Sequence, residues 1–208
     1  MITDKEVSQM FVYVGGIPGV GKTTIIKKSI ELAKRENFPL QGLEEKKTLC
    51  QITGVSSAEE YAKLPLQIRI QARKQLVEIF YKIDTQDPVT IRIRDDHFTT
   101  PNEDGTYWIR SLNQLDKLHM LAFVVIIAEP NIILRRRLDR KLLSLEPNYL
   151  NLNEISRHQE IEVKITSSQA EYLGIPFKIV ENREGEIKQT SETLFLFVKE
   201  VIHKRRLE

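Results

Sequence analysis

The chain of 208 residues has one cysteine, Cys50, which excludes an intrachain disulfide framework and fits a reducing compartment. Aromatic residues are scarce at 7%, and there is no aromatic-rich sheet motif of the kind that stacks single-stranded RNA. An excess of one charge is also missing. Lys and Arg number 31 against 29 Asp and Glu, and the net charge of +2 demands neither nucleic acid nor an anionic membrane. No apolar run approaches the roughly 20 residues of a membrane span, and the opening "MITDKEVSQM" lacks the basic start and apolar stretch of a signal peptide. A cytoplasmic protein with no membrane partner is expected. With 41% hydrophobic and 29% charged residues, the composition is that of a packed globular chain rather than a disordered or fibrous one.

The length suits one substantial α/β domain, so residues 1–208 are read as a single unit with one core. "MFVYVG" (10–15) is a β-prone run ending at glycines, and from Lys22 to Ala33 apolar positions recur at helical spacing. Residues 41–55 read as a loop with a short strand at Thr48–Ile52, and 64–83 as a helix with Pro65 in its first turn. "PVTIRIRDDH" (88–97) alternates with the period of a strand and ends at two aspartates. "AFVVIIAEP" (122–130) is a continuous apolar run of the kind found in a central parallel strand. Helices are expected at 131–143, at 152–174 closed by Gly174, and at 193–206, with a last strand at 176–181. Strands alternating with helices imply a three-layer α/β fold with a mostly parallel sheet flanked by helices.

"GGIPGVGKTT" (15–24) carries the chemistry. Gly16, Gly21, Lys22 and Thr23 satisfy G-x-x-x-x-G-K-[ST] between a strand and a helix, the spacing of a phosphate-binding P-loop. Its glycines allow backbone N–H groups to wrap phosphate oxygens, with Gly19, Val20 and Thr24 completing the cradle. Lys22 neutralises the β- and γ-phosphates, and Thr23 offers a hydroxyl to Mg²⁺. A nucleoside triphosphate, ATP with Mg²⁺, is the expected ligand. Phosphoryl transfer also needs an acidic residue on the far side of the metal, and Asp95 and Asp96 end a neighbouring strand. Asp95 is the candidate metal ligand, and the pair offers one carboxylate for the metal and one as base. His97 beside them reads as a salt-bridged spectator.

Several stretches together resemble the archaeal adenylate kinases, P-loop nucleoside monophosphate kinases. "VYVGGIPGVGKTTIIKKSIELA" is similar to their opening strand, loop and helix, and "AKLPLQIRIQARKQL" to their K-L-P entry to a helix. "DDH" stands where they have D-T-H, and "VVIIAEPNIILRRRL", "RHQE" and "FKIVENREG" follow in order. The resemblance implies a P-loop NTPase fold, transfer of the γ-phosphate of ATP to a small-molecule acceptor, an acceptor segment near 37–63 and a lid-like segment near 139–154.

The chain departs from that pattern in the acceptor and lid segments. "SSAEEYAKLP" has glutamates where the family has monophosphate-gripping arginines, and "HQEIEVKIT" replaces the asparagine and arginine that follow the family's H-Q step. The family lid has an R-x-R-D stretch, for which "LDRKLLSLEPNYLNLNE" offers Arg140. Arg136 and Arg140 share a helix face, either as a lid over phosphates or as a solvated surface. Arg92 and Arg94 share a strand face, either as a binding surface or as an ion-paired edge. The expected activity is therefore an adenylate kinase-like phosphotransferase acting on a nucleotide, a nucleoside or a related small acceptor. Lys22, Asp95, Asp96 and Arg140 are the candidate catalytic residues. The alternatives are a nucleotide-binding switch or weak ATPase acting through a partner and, less favoured by the charge balance, a kinase for RNA ends.

Overall fold

The computed structural model describes residues 11–87, 89–102, 104–110, 112, 119–139 and 150–205, apart from the side chains of 58, 59, 62, 84 and 85. Arg140 and most of the expected lid-like stretch 139–154 lie outside these residues. The order of elements is β1 (Phe11–Gly15), α1 (Lys22–Arg35), β2 (Leu40–Leu43), α2 (Glu45–Thr53), α3 (Ala58–Lys63), α4 (Leu66–Gln86) and β3 (Ile91–Asp95). There follow β4 (Thr99–Pro101), β5 (Tyr107–Ile109), β6 (Met120–Ile127), α5 (Pro130–Asp139), α6 (Leu152–Leu173), β7 (Phe177–Glu181) and α7 (Ile187–Arg205).

Five strands form one parallel sheet in the order β2-β3-β1-β6-β7. β1 lies at its centre and is buried along its whole length, so alternate side chains serve two cores. Val12 and Val14 pack with Ile25 and Ile26 of α1 and Leu194 and Val198 of α7. Phe11 and Tyr13 point the other way, to Phe98, Phe123 and Ala170 of α6. A sheet with helices on both faces must be apolar on both sides of its middle strands, and the β6 run "MLAFVVII" meets that demand. In parallel strands the C-terminal ends share one edge, so Gly15, Leu43, Asp95 and Ile127 gather there. That edge is where ligands bind in open α/β sheets.

The structure corrects the reading of 41–55. In place of a loop and a strand at Thr48–Ile52 it has β2 at Leu40–Leu43 and helix α2 over Glu45–Thr53. Within the helix, Thr48 and Thr53 turn their hydroxyls back onto the Glu44 and Leu49 carbonyls at 3.1 and 2.8 Å. Tertiary packing then decides, with Leu49 buried against Ala72, Leu76 and Phe80. The antiparallel β4–β5 hairpin has no counterpart among the sequence expectations; its strands are three residues each, too short to show a period.

Arg92 and Arg94 are both buried, and the described contacts give them structural work. Arg92 donates to the carbonyls of Asp87 and Thr90 at 3.0 Å and pairs with the Asp87 carboxylate at 3.3 Å, fastening the end of α4 to the start of β3. The Arg94 guanidinium lies 3.7 Å from the centre of the Phe11 ring.

Candidate functional site

β1 ends at the loop that the motif marks. Gly16, Gly19 and Gly21 have φ of 131°, 98° and 98°, values at which a side chain would be strained, so the loop's path requires glycine at these positions. Lys22 opens α1, and its ammonium donates back to the Gly16 carbonyl. Burial pulls the pKa of Lys22 below its ordinary value, while Asp95 and then Glu162 act to keep it charged. Val20 is buried and Thr24 is exposed at the mouth of the loop.

The Thr23 hydroxyl donates to an oxygen of Asp95 at 2.9 Å, across 72 residues of sequence. A hydroxyl and a carboxylate oxygen this close are the hard donors that Mg²⁺ takes from protein while phosphates and water fill its other positions. The residues present therefore fit the expected metal.

The aspartate pair divides at the strand end. Asp95 faces Thr23, whereas Asp96 is buried and ion-paired with Arg110, accepts the His97 backbone N–H at 2.9 Å and lies 3.8 Å from Arg73. Arg110 is also 3.8 Å from Glu45, a buried carboxylate in the first turn of α2. Burial lowers the pKa of His97 to about 3, helped by Lys22, Lys46 and Arg73, so its ring is neutral at physiological pH. Arg73 and Arg110 escaped the sequence reading. One sits within α4 and the other follows the unforeseen hairpin, and neither belongs to a motif.

A cavity of about 340 Å³ adjoins this cluster and is lined by Thr23 and Asp95, by Ile26, Ile30 and Ile93, and by Glu44, Glu45 and Lys46. Its walls come from α1, β2, β3 and the start of α2, so part of the expected 37–63 acceptor segment lines it.

Distant segments support the phosphate-binding loop from behind. Arg136 donates to the carbonyls of Gly19 and Val20 at 3.3 and 3.0 Å, and Arg137, wholly buried, donates to Pro18 at 2.8 Å. Asn182 reaches the Val20 carbonyl at 2.6 Å. Arg135 turns outward to Glu184. The basic helix α5 thus aims two of its three consecutive arginines at the loop's own backbone. Glu162 of α6 accepts the Gly16 N–H at 3.1 Å.

No family model matches the chain. Among curated relatives, adenylate kinase from Pyrococcus abyssi is 28% identical over 198 residues, covering 91% of this chain and 97% of that one. Adenylate kinase from Thermococcus kodakarensis is 30% identical over 184 residues, covering 84% and 87%. Among solved structures, shikimate kinase from Acinetobacter baumannii in complex with shikimate superposes with a TM-score of 0.52 at 13% identity, over 92% of this chain and 93% of that one, which shows a shared kinase fold. The phosphate-binding loop, the aspartates and the sheet order that brings them together are thus accompanied by similarity along most of both sequences, and the chain belongs to the adenylate kinase family.

Proposed function

We propose that this protein transfers the γ-phosphate of Mg-ATP to a small acceptor that itself carries phosphate, a nucleoside monophosphate or a molecule of similar size. The observation that carries this reading is the Thr23–Asp95 contact opening into a cavity of about 340 Å³, the size range of small-ligand sites. Lys22 holds the transferring phosphates, and Thr23 and Asp95 hold the magnesium ion. Lys46, Arg73 and Arg110 supply positive charge on the acceptor side. They take the place of the arginines missing from "SSAEEYAKLP", because a phosphate brought towards ATP needs cations to offset its charge.

Asp96, tied to Arg110, acts in this reading as a positioning group, and Asp95 is the carboxylate facing the transfer point. Arg140, outside the described residues, remains in this reading the candidate cation for the transferring phosphates. The whole chain works as one cytoplasmic domain. The curated relatives are named adenylate kinases and a shikimate kinase shares the fold, so the choice of acceptor rests on this chain's own site residues.

The test is transfer of labelled γ-phosphate to a panel of nucleoside monophosphates, nucleosides and small alcohols, with Lys22→Ala as blank. Transfer to a monophosphate, with the acceptor KM raised about tenfold or more in Arg110→Ala and ATP binding kept, is the expected result. Label appearing only as free phosphate would favour the second reading, a weak ATPase acting as a switch. One observation supports that second reading: Asp96 and Glu45 already neutralise Arg110.

A further inference from the structure

Glu162 lies on the inner face of α6 and is wholly buried, a costly place for a carboxylate unless each oxygen is satisfied. Its Oε1 accepts the backbone N–H groups of Gly16 at 3.1 Å and Phe98 at 2.9 Å. Its Oε2 accepts the N–H of Thr99 at 2.9 Å and the Thr99 hydroxyl at 2.5 Å. The four groups come from two segments that are far apart in sequence. Gly16 belongs to the phosphate-binding loop, and Phe98 and Thr99 lie just beyond the Asp95–Asp96 pair.

Between the strands that carry these loops the ladder sets the spacing, with Val14 opposite Asp95 and the Asp96 N–H still reaching Val14 at 3.3 Å. Beyond that point the ladder stops. There the Glu162 carboxylate ties the two segments together on the side away from the Thr23–Asp95 contact, and neighbours on the same helix brace it. His158 contacts the Thr99 carbonyl and hydroxyl at 3.2 and 3.1 Å, and Gln159 exchanges two hydrogen bonds with the backbone of Ala128.

We propose that Glu162 is a positioning residue whose carboxylate sets the distance between the phosphate-binding loop and the Asp95 loop, and so the geometry in which Thr23 and Asp95 share a magnesium ion. The inference rests on the Mg-ATP reading above. The site needs a carboxylate in particular. It faces three N–H groups and one O–H, and an amide would set its own NH₂ against the Thr99 N–H. Lys22 and the loop's N–H groups can grip phosphate without this spacing; the metal cannot be shared without it.

The experiment compares ATP binding by calorimetry in EDTA and in excess Mg²⁺ for the wild-type protein, Glu162→Gln and Thr99→Val. In Glu162→Gln, binding of metal-free ATP is kept or tightened, because a negative charge has left the underside of the loop. The gain in affinity on adding Mg²⁺ falls about tenfold or more, as is usual when a group orienting a metal ligand is lost. Thr99→Val, which removes one of the four donors, shows a smaller loss in the same direction. A full Mg²⁺ gain in folded Glu162→Gln overturns the proposal, as does an equal fall of both affinities, which marks a role in folding alone. If Glu162→Gln does not fold, Thr99→Val decides, and an undiminished gain there overturns the proposal. A wild-type protein that gains nothing from Mg²⁺ overturns the Mg-ATP reading and this inference together, whereas a gain retained by the variants overturns this inference alone.

Discussion

At the scale of single residues, the two histidines near the site are set by burial. The pKa of His97 is lowered to about 3 and that of His158 to about 4, with desolvation the first cause in both. In the unfolded chain each titrates near 6.5. Between pH 6.5 and about 4 the unfolded chain therefore binds protons that the folded chain refuses, so stability falls as pH drops through that window. The urea midpoint is expected to decline from pH 7 to pH 5, and His158→Gln, which can still donate to the Thr99 carbonyl, to flatten that decline. An unchanged acid slope in the variant would place the sensitivity elsewhere. His97 was read as salt-bridged, and its ring does lie 3.6 Å from Asp96, but with the pKa lowered to about 3 it is neutral at physiological pH and forms no charge pair. His158 stood inside the "RHQE" stretch, and its partner at Thr99 is 59 residues away, beyond the reach of local pattern.

At the scale of elements, α5 shows how much of a site can hide in an ordinary-looking helix. Its basic run was legible, but whether the arginines faced phosphate, solvent or something else depended on which loop packs beneath them. Arg137 is buried to 1% exposure and Arg135 is largely exposed, although the two have the same chemistry and stand two residues apart in one helix, where they face different sides. Arg137→Met is expected to lower unfolding free energy by about 2 kcal/mol, because the Pro18 carbonyl loses a charged donor. Arg135→Met should change it by less than about 0.5 kcal/mol, since an exposed pair is screened by water. Urea denaturation of the two variants side by side checks the contrast; equal losses would mean that the loop is held by other groups. The reading of α2 failed for a related reason. The apolar contacts that hold this segment as a helix lie on α4, out of view of any window along the chain.

At the scale of the whole molecule, a ligand that binds only the folded state adds stability in proportion to the logarithm of its saturation. Mg-ATP at about 100 times its Kd should contribute about 2.7 kcal/mol, or a rise in Tm of roughly 5–10 °C for a chain of this size. Thermal denaturation with and without Mg-ATP measures this, and Lys22→Ala is expected to abolish most of the rise. A wild-type protein with no shift would mean that the loop does not hold the nucleotide. The global fold was the most legible level. Its signals are repeated apolar periods, and a mostly parallel sheet flanked by helices follows from them, although strand β2 was expected at Thr48–Ile52 and stands at Leu40–Leu43. The support behind the loop was the least legible, because each of its members is an ordinary polar residue with a backbone partner more than 100 positions away.

That separation bears on synthesis. The nucleotide loop emerges from the ribosome well before the residue that holds Val20 from behind, because Asn182 comes 162 positions later. At about 5–20 residues per second, roughly ten seconds or more pass between the two. The nascent chain has its phosphate-binding sequence before the frame that shapes it, so ATP has no fully formed pocket to bind until the segment carrying Asn182 has emerged.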